Sequence, residues 1–381
     1  MDVDPSQAAD LPSIVAGATP GTTLLLAPGT YGIAASLQFL SGGVTFRSST
    51  DIAADVIIDA GYAVNEAIVI AATEVTIAHV TVTHAVDHLI HIYPPGPNVN
   101  VTAPVLYGLA LVDGGEQFVK VNPIGGQEGW IDDGRLECST FLLTDEGRPH
   151  VESCCGGCYT GGIDAHSTWH WTVRGNRFEG IWCPTGLAEH AIHFWKGARD
   201  TLVENNVIID CARGIGFGLG SGAGERIYPD APYGGAMLAH YDGIIRNNVI
   251  WGDVPSFDTG IELDETRTPR ALHNTVVHGA GATGFFSSID VRFEGSEAEL
   301  VNNLTARISQ RDGATATLAS NLEEADLSWF VDAAGLDFHL GAAAAAAIDQ
   351  GVVDADAGQD IDGEPHTLGG APDVGADERA R

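Results

Sequence analysis

Leu202-Val203-Glu204-Asn205-Asn206-Val207-Ile208-Ile209 and Ile244-Ile245-Arg246-Asn247-Asn248-Val249-Ile250 are two copies of one short pattern. Apolar and β-branched residues alternate on both sides of an asparagine pair, as short strands joined by a tight turn require. Ala271-Leu272-His273-Asn274-Thr275-Val276-Val277 and Glu299-Leu300-Val301-Asn302-Asn303-Leu304 continue the series, Thr172 to Phe178 precedes it, and Val75 to Val82 is a degenerate copy. Asn176, Asn206, Asn248, Asn274 and Asn303 follow one another at intervals of 30, 42, 26 and 29 residues. That is solenoid spacing. The long interval holds a loop rich in Gly and Pro, from about Leu219 to His240. Asparagine suits a recurring turn because it tolerates the left-handed backbone region, and stacked copies can hydrogen-bond from coil to coil.

No helical period of useful length appears, and the Asn-Gly hairpin turns that a β-sandwich would need are scarce. The expected fold is therefore all-β: a single right-handed parallel β-helix over residues 1–381, of roughly a dozen coils. Its N-terminal cap and first coil would occupy about residues 1–30, and a C-terminal capping tail about residues 335–381.

Composition agrees. Hydrophobic residues make up 44% of the chain and charged residues only 18%, with 48 glycines, which favours short strands and turns over amphipathic helices. A formal net charge of −33 repels nucleic acid and anionic membranes, so neither is an expected partner. The acidity reads either as solubility or as calcium binding by clustered carboxylates. Six cysteines occur, with Cys154, Cys155 and Cys158 close together and Cys138, Cys183 and Cys211 apart. No second pair stands at zinc-finger spacing, so disulfides pinning a loop to neighbouring coils are expected. Met1-Asp2-Val3-Asp4 is acidic and unlike an export leader. The expectation is an exported, monomeric protein from which a leader has been removed.

In a parallel solenoid, equivalent residues of successive coils lie about 4.8 Å apart. His88-Leu89-Ile90-His91-Ile92-Tyr93 matches His190-Ala191-Ile192-His193-Phe194-Trp195, and the segments at 117–122, 161–166, 213–218, 259–264 and 287–292 take the same register. Three polar columns result. The first runs His88, Gln117, Gly161, His190, Arg213, Thr259; the second His91, Lys120, Asp164, His193, Gly216, Glu262, Asp290; the third Tyr93, Asn122, His166, Trp195, Gly218, Asp264, Arg292. Alternation turns Ile192 and Phe194 inward and the columns to solvent, and Gly216 and Gly218 are expected to open a depression beside His193 and Trp195.

Lys120, Asp164 and His193, with His190 and Arg213 one column over, read as a general base beside a stabilising cation, or as a ladder of mutually neutralising charges. His193, or a lysine whose pKa its neighbours lower, would take a proton alpha to a uronate carboxylate, which Arg213 would hold. Trp195 and Tyr93 suit sugar rings, unless the 154–158 loop covers them; His166, His190 and Arg292 are the other expected substrate contacts. His166 and His190 with Asp164 and Glu189 are also candidates for zinc or another transition metal. Glu262, Asp264 and Asp290 form an acidic end that could hold calcium, stay solvated, or hydrolyse glycosides with Asp164.

Thr22 to Tyr31 resembles the opening coil of pectin-lyase-type β-helix proteins, and the tail from Asp337 to Glu378 the closing segment of many exported bacterial ones. Within that fold the chain resembles the polysaccharide lyases related to chondroitinase B and the alginate lyases of that family. Glu189 precedes Lys196 by the interval that family keeps between a calcium-binding glutamate and its catalytic lysine. The resemblance implies a lysine base at Lys196, an arginine, and calcium held by acidic side chains, Glu189 among them; with the column reading, Asp164, Glu189, Glu262 and Asp264 are the expected metal ligands. It departs where Ala191 replaces a second acid and Phe217 stands about where the arginine would follow, leaving Arg213 to substitute from another column. The expected function is β-elimination of a uronic-acid-containing polysaccharide. Epimerisation, glycoside hydrolysis and non-catalytic carbohydrate binding are the alternatives.

Overall fold

The computed structural model describes residues 1–154, 157–220 and 224–379. Three parallel sheets run the length of the molecule, one fourteen-stranded and two ten-stranded. Each coil contributes one strand to each in turn: Thr172–Arg174, Arg177–Glu179 and His190–Trp195, then Leu202–Glu204, Val207–Ile209 and Arg213–Phe217. The chain is a right-handed parallel β-helix.

Equivalent side chains stack inside it. Val173, Val203, Ile245 and Ala271 form one buried file, Phe178, Ile208, Ile250 and Val276 a second, and Ile192, Ile215, Ile261 and Ile289 a third. Each file removes apolar surface from water on every rung, at about 25 cal/mol per Å².

The asparagine pairs divide two tasks. The first position of each turn is left-handed: Gly175, Asn205, Asn247, His273, Asn302 and Ser320 have φ between 49° and 63°. The second position builds an internal ladder. The backbone N–H of Asn206 donates to Asn248 Oδ1 at 3.0 Å and its Nδ2 to the same oxygen at 2.9 Å. The same two bonds recur from Asn176 to Asn206, Asn248 to Asn274, Asn274 to Asn303 and Asn303 to Asn321. Nδ2 also reaches the carbonyl of the preceding coil, as from Asn206 to Val173 O at 3.0 Å. A buried turn thereby satisfies its polar groups.

Both ends carry structure outside the repeat. A six-residue helix, Leu11–Ala16, lies at the N-terminus and buries Leu11 and Val15 near the strand Leu37–Phe39. At six residues it is too short for a helical period to show. The tail, expected as a closing cap, lies instead along the flank of the coils. Phe338, Leu340, Ala344, Ala347, Val374 and Ala376 pack against Ile209, Val249, Trp251, Val277 and Leu304 on the outside of the second sheet. The outward members of the asparagine pairs hold it: Asn205 donates to Asp360 O, Asn247 to Ala357 O at 2.7 Å, and Asn302 to Val352 O at 2.8 Å. The His273 ring stacks on His366 at 3.9 Å. The tail thus straps four successive coils.

Asn248→Ala removes an amide from mid-ladder and leaves the Asn206 N–H without its acceptor. Each orphaned buried group costs about 1–3 kcal/mol, so denaturant unfolding should show a loss of at least about 3 kcal/mol. A loss within a few tenths would mean that the ladder is incidental.

Candidate functional site

The columns occupy the third sheet. His91, Lys120, Asp164, His193, Gly216, Glu262 and Asp290 pair rung to rung. His190 stands beside Arg213, His166 beside Trp195, and Asp264 beside Arg292.

Their exposure corrects the sequence reading. The second column does not face open solvent: Asp164 is 3% exposed, His193 1% and Lys120 7%. His190, Asp264 and Asp290 are also buried. Side chains of neighbouring rungs cover one another, and Tyr159 adds cover over Lys120 from one of the connections between strands, which alternation along a strand cannot reveal. A disulfide from Cys158 to Cys183 ties two of these connections on adjacent coils, while Cys138 and Cys211 are free thiols; Cys155 lies outside the described residues. On the other side, Arg226 clamps Asp132 with bonds of 2.7 and 2.8 Å, and Gln127 Oε1 accepts the Ile227 N–H at 2.8 Å. Arg213, Glu189, Trp195 and Lys196 reach the surface in part, as do His91, Tyr93 and Asn122 towards one end and Arg292 towards the other.

Asp164 is the hub. One carboxylate oxygen takes the Lys120 ammonium and lies 3.2 Å from His166 Nε2. The other accepts Trp195 Nε1–H at 2.7 Å and lies 3.7 Å from His193 Nδ1. Burial alone would raise the Asp164 pKa, but the His166 hydrogen bond and the nearby cations hold it well below the ordinary carboxylate range. Burial works to lower the Lys120 pKa, and the Asp164 charge outweighs it, so the ammonium is held above its usual value. Lys120 is therefore a fixed cation, which corrects its reading as a lysine made basic by a lowered pKa.

The glycines act differently from expectation. A Cβ on Gly216 would sit 2.7 Å from His190 Nε2, so the missing side chain lets the His190 ring cross that rung to Glu262, where Nε2 and Oε2 are 2.7 Å apart. At Gly218 a Cβ would collide with the Asp264 carbonyl, and the Gly218 carbonyl accepts the His193 Nε2–H at 3.0 Å. At Gly216 the space is used by imidazole. Burial pushes the His193 pKa down to about 4, so the ring is neutral at pH 7.

The four carboxylates named as metal candidates have separate partners. Asp164 serves Lys120 and Trp195; Glu262 serves His190 and, at 3.7 Å, Arg213. Asp264 is pushed up to about 7 by burial and by Glu262 and Asp290, while Glu262, despite burial, is pulled down to about 2 by His190 and Arg213. Glu189 instead lies with His190 and His193. Tyr93 and Arg292 stand away from this centre: Tyr93 packs against His91 at 4.8 Å, and Arg292 pairs with Asp312 at 2.6 Å. Lys196, at the strand end, pairs with Glu225 at 2.9 Å and lies 5.0 Å from the Trp195 ring centre. Glu225, Tyr159 beside Lys120, and Glu66 beside His91 are loop contributors without a periodic signal in the sequence. A groove of about 470 Å³ lies on the fourteen-stranded sheet, bordered by Asp200, Asp242, Arg246 and Arg270, away from this chemistry.

No family model matches the chain, and no curated protein matches it in sequence. Among solved structures it is similar to the pectate lyase Pel9A, with 17% identity over 96% of this chain and 90% of that one and a TM-score of 0.57. An alginate lyase from Paenibacillus sp. str. FPU-7 is similar over 84% of this chain and 96% of its own, with 14% identity and a TM-score of 0.55. A rhamnogalacturonan lyase follows, with 12% identity over 84% of each chain and a TM-score of 0.52. The fold is thus one that polysaccharide lyases also use. No helix among the described residues is long and apolar enough to cross a membrane.

Asp164→Asn leaves a buried lysine without its charge and should cost about 3–5 kcal/mol, whereas adding Lys120→Met should restore most of that loss. A double-mutant cycle in urea measures the coupling; additive effects would remove Asp164 from the centre of the network. For Asp264 the folded pKa lies above the unfolded one, so its stabilising contribution is full below about pH 4 and is lost as pH rises through 7. Asp264→Asn should flatten that part of the stability–pH curve; an unchanged slope would assign it to other groups.

Proposed function

We propose that the protein is an exported enzyme that cleaves a uronic-acid-containing polysaccharide by β-elimination. One observation carries this reading. Arg213 is partly open to solvent, and its buried Nε has no hydrogen-bond partner among the described residues. Its one ion pair, to Glu262, is long at 3.7 Å. A guanidinium so placed can take a carboxylate through two N–H groups, and neutralising that carboxylate acidifies the adjacent C–H. Trp195, at the other end of the strand whose His190 pairs with Arg213, offers a partly exposed ring for a pyranose further along the same sheet. Lys196, next in the chain, is the reachable base; substrate must first draw it away from Glu225. The shared fold of three polysaccharide lyases and the Cys158–Cys183 disulfide, which needs an oxidising compartment, support the same reading.

β-Elimination creates a conjugated double bond. Alginate, polygalacturonate, rhamnogalacturonan, glucuronan and glycosaminoglycans should therefore be followed by ultraviolet absorbance, and at least one should respond. On that substrate, Lys196→Ala should lower kcat by about 10²–10⁴-fold, and Arg213→Ala should lower kcat/KM by about 10²-fold or more. No absorbance change across the panel, with and without divalent cations, would discard the proposal. A second reading has its own observation: Glu262 and Asp264, two apart on one strand, have pKa values pushed to about 2 and about 7. Such a split is how paired carboxylates become base and acid in glycoside hydrolysis. It predicts new reducing ends without unsaturation, abolished in Asp264→Asn.

A further inference from the structure

Two buried imidazoles on one strand have their outer nitrogens occupied and their inner ones idle. His190 Nε2 is 2.7 Å from Glu262 Oε2, and His193 Nε2–H donates to Gly218 O at 3.0 Å. These bonds leave Nδ1 as the free nitrogen of each ring. His190 Nδ1 is buried with no partner among the described residues, on a residue only 1% exposed. His193 Nδ1 lies 3.7 Å from Asp164 Oδ1, which Trp195 already occupies, and 3.9 Å from Glu189 Oε2, an oxygen that lacks a hydrogen-bond partner. A neutral ring bonded through Nε2–H turns a lone pair, not a proton, towards that carboxylate. A lone pair turned towards an unpartnered anionic oxygen is repelled unless something positive lies between them.

We propose that Glu189, His190 and His193 form a binding site for zinc or a similar divalent transition ion. Nitrogen-rich donors select such ions over calcium, which takes oxygen shells. One ligand atom from each residue falls within 4.8 Å of the others. Tetrahedral zinc holds its donors at about 2.0–2.1 Å, so small side-chain rotations close the set, chiefly at Glu189, which precedes the strand and is partly exposed. Glu262 and the Gly218 carbonyl already supply the outer-shell bonds that orient metal-binding histidines. A fourth position remains for water or a substrate oxygen. The site does not depend on the β-elimination reading, although an ion there would lie beside Arg213, where a uronate carboxylate is proposed to bind.

The test needs no substrate. Purified protein stripped with chelator is titrated with Zn²⁺ by calorimetry, and with Co²⁺ by the visible absorption of tetrahedral cobalt. One ion per chain, a higher Tm on loading and retention against excess Ca²⁺ are expected. Glu189→Ala, at a partly exposed position, should keep the chelated protein's Tm and weaken zinc binding by about 10²-fold; Glu262→Gln should weaken it by about 10–100-fold through the outer shell. His193→Ala should abolish the cobalt bands. The proposal is overturned if the folded wild type binds no zinc, or if Glu189→Ala binds it normally. It is equally overturned if binding is lost in Asp362→Asn, which would move the ion to the His339, Asp362 and Asp377 group. Lys196→Ala should bind zinc normally, so failure of the enzymatic reading and failure of the site remain distinct results.

Discussion

From Asn176 to Asn321, one buried amide per coil holds the stack in register. Each inner asparagine offers its Oδ1 to the coil before it, while its Nδ2 reaches the next asparagine and a carbonyl of the preceding coil. A parallel strand pair that slips by one residue turns its core face outward. The ladder opposes such a slip because a slipped rung would leave two donors and an acceptor unpaired inside the molecule. The apolar files supply the driving force, but apolar contacts are non-directional and tolerate displacement. It is the amide that makes Val203 sit over Val173, and hence His193 over Asp164.

That register produces a second, less forgiving arrangement on the third sheet. Lys120, Asp164, His166 and Trp195 come from three different coils and share one carboxylate. A buried charge without partners is costly, so these groups depend on one another and on the rungs beneath them. The chain's net charge of −33 is therefore a poor guide to the site, where arginine, lysine and carboxylate offset each other locally. An acidic polymer approaching the protein meets long-range repulsion before it meets Arg213, and salt that shortens the screening length would ease that approach.

Coil period, strand register and the membership of each polar column could be read from the residues alone, because all three follow from a period-two strand repeated at solenoid spacing. The alignment of His88 to Tyr93 with His190 to Trp195 needs only that rule. What could not be read depends on atoms outside the repeat. The burial of the columns comes from side chains that reach across rungs and from loop residues such as Tyr159 beside Lys120. The His190–Glu262 contact crosses an intervening rung because Gly216 lacks a side chain, and a glycine in a list of polar residues reads as an opening and not as a passage. The tail was legible as a separate segment, yet its place along the flank is set by Asn205, Asn247 and Asn302, whose turn role conceals their outward contacts.

A plain solenoid loses its terminal coil first and unravels one unit at a time. Here the C-terminal segment is stitched sideways to the turns that begin with Asn205, Asn247, His273 and Asn302. A force applied at the C-terminus would peel those stitches in succession, like a seam, before it could draw thread from the spool. Four coils are thereby joined into one mechanical block, whose fraying end is guarded by a strip of chain that belongs to none of them.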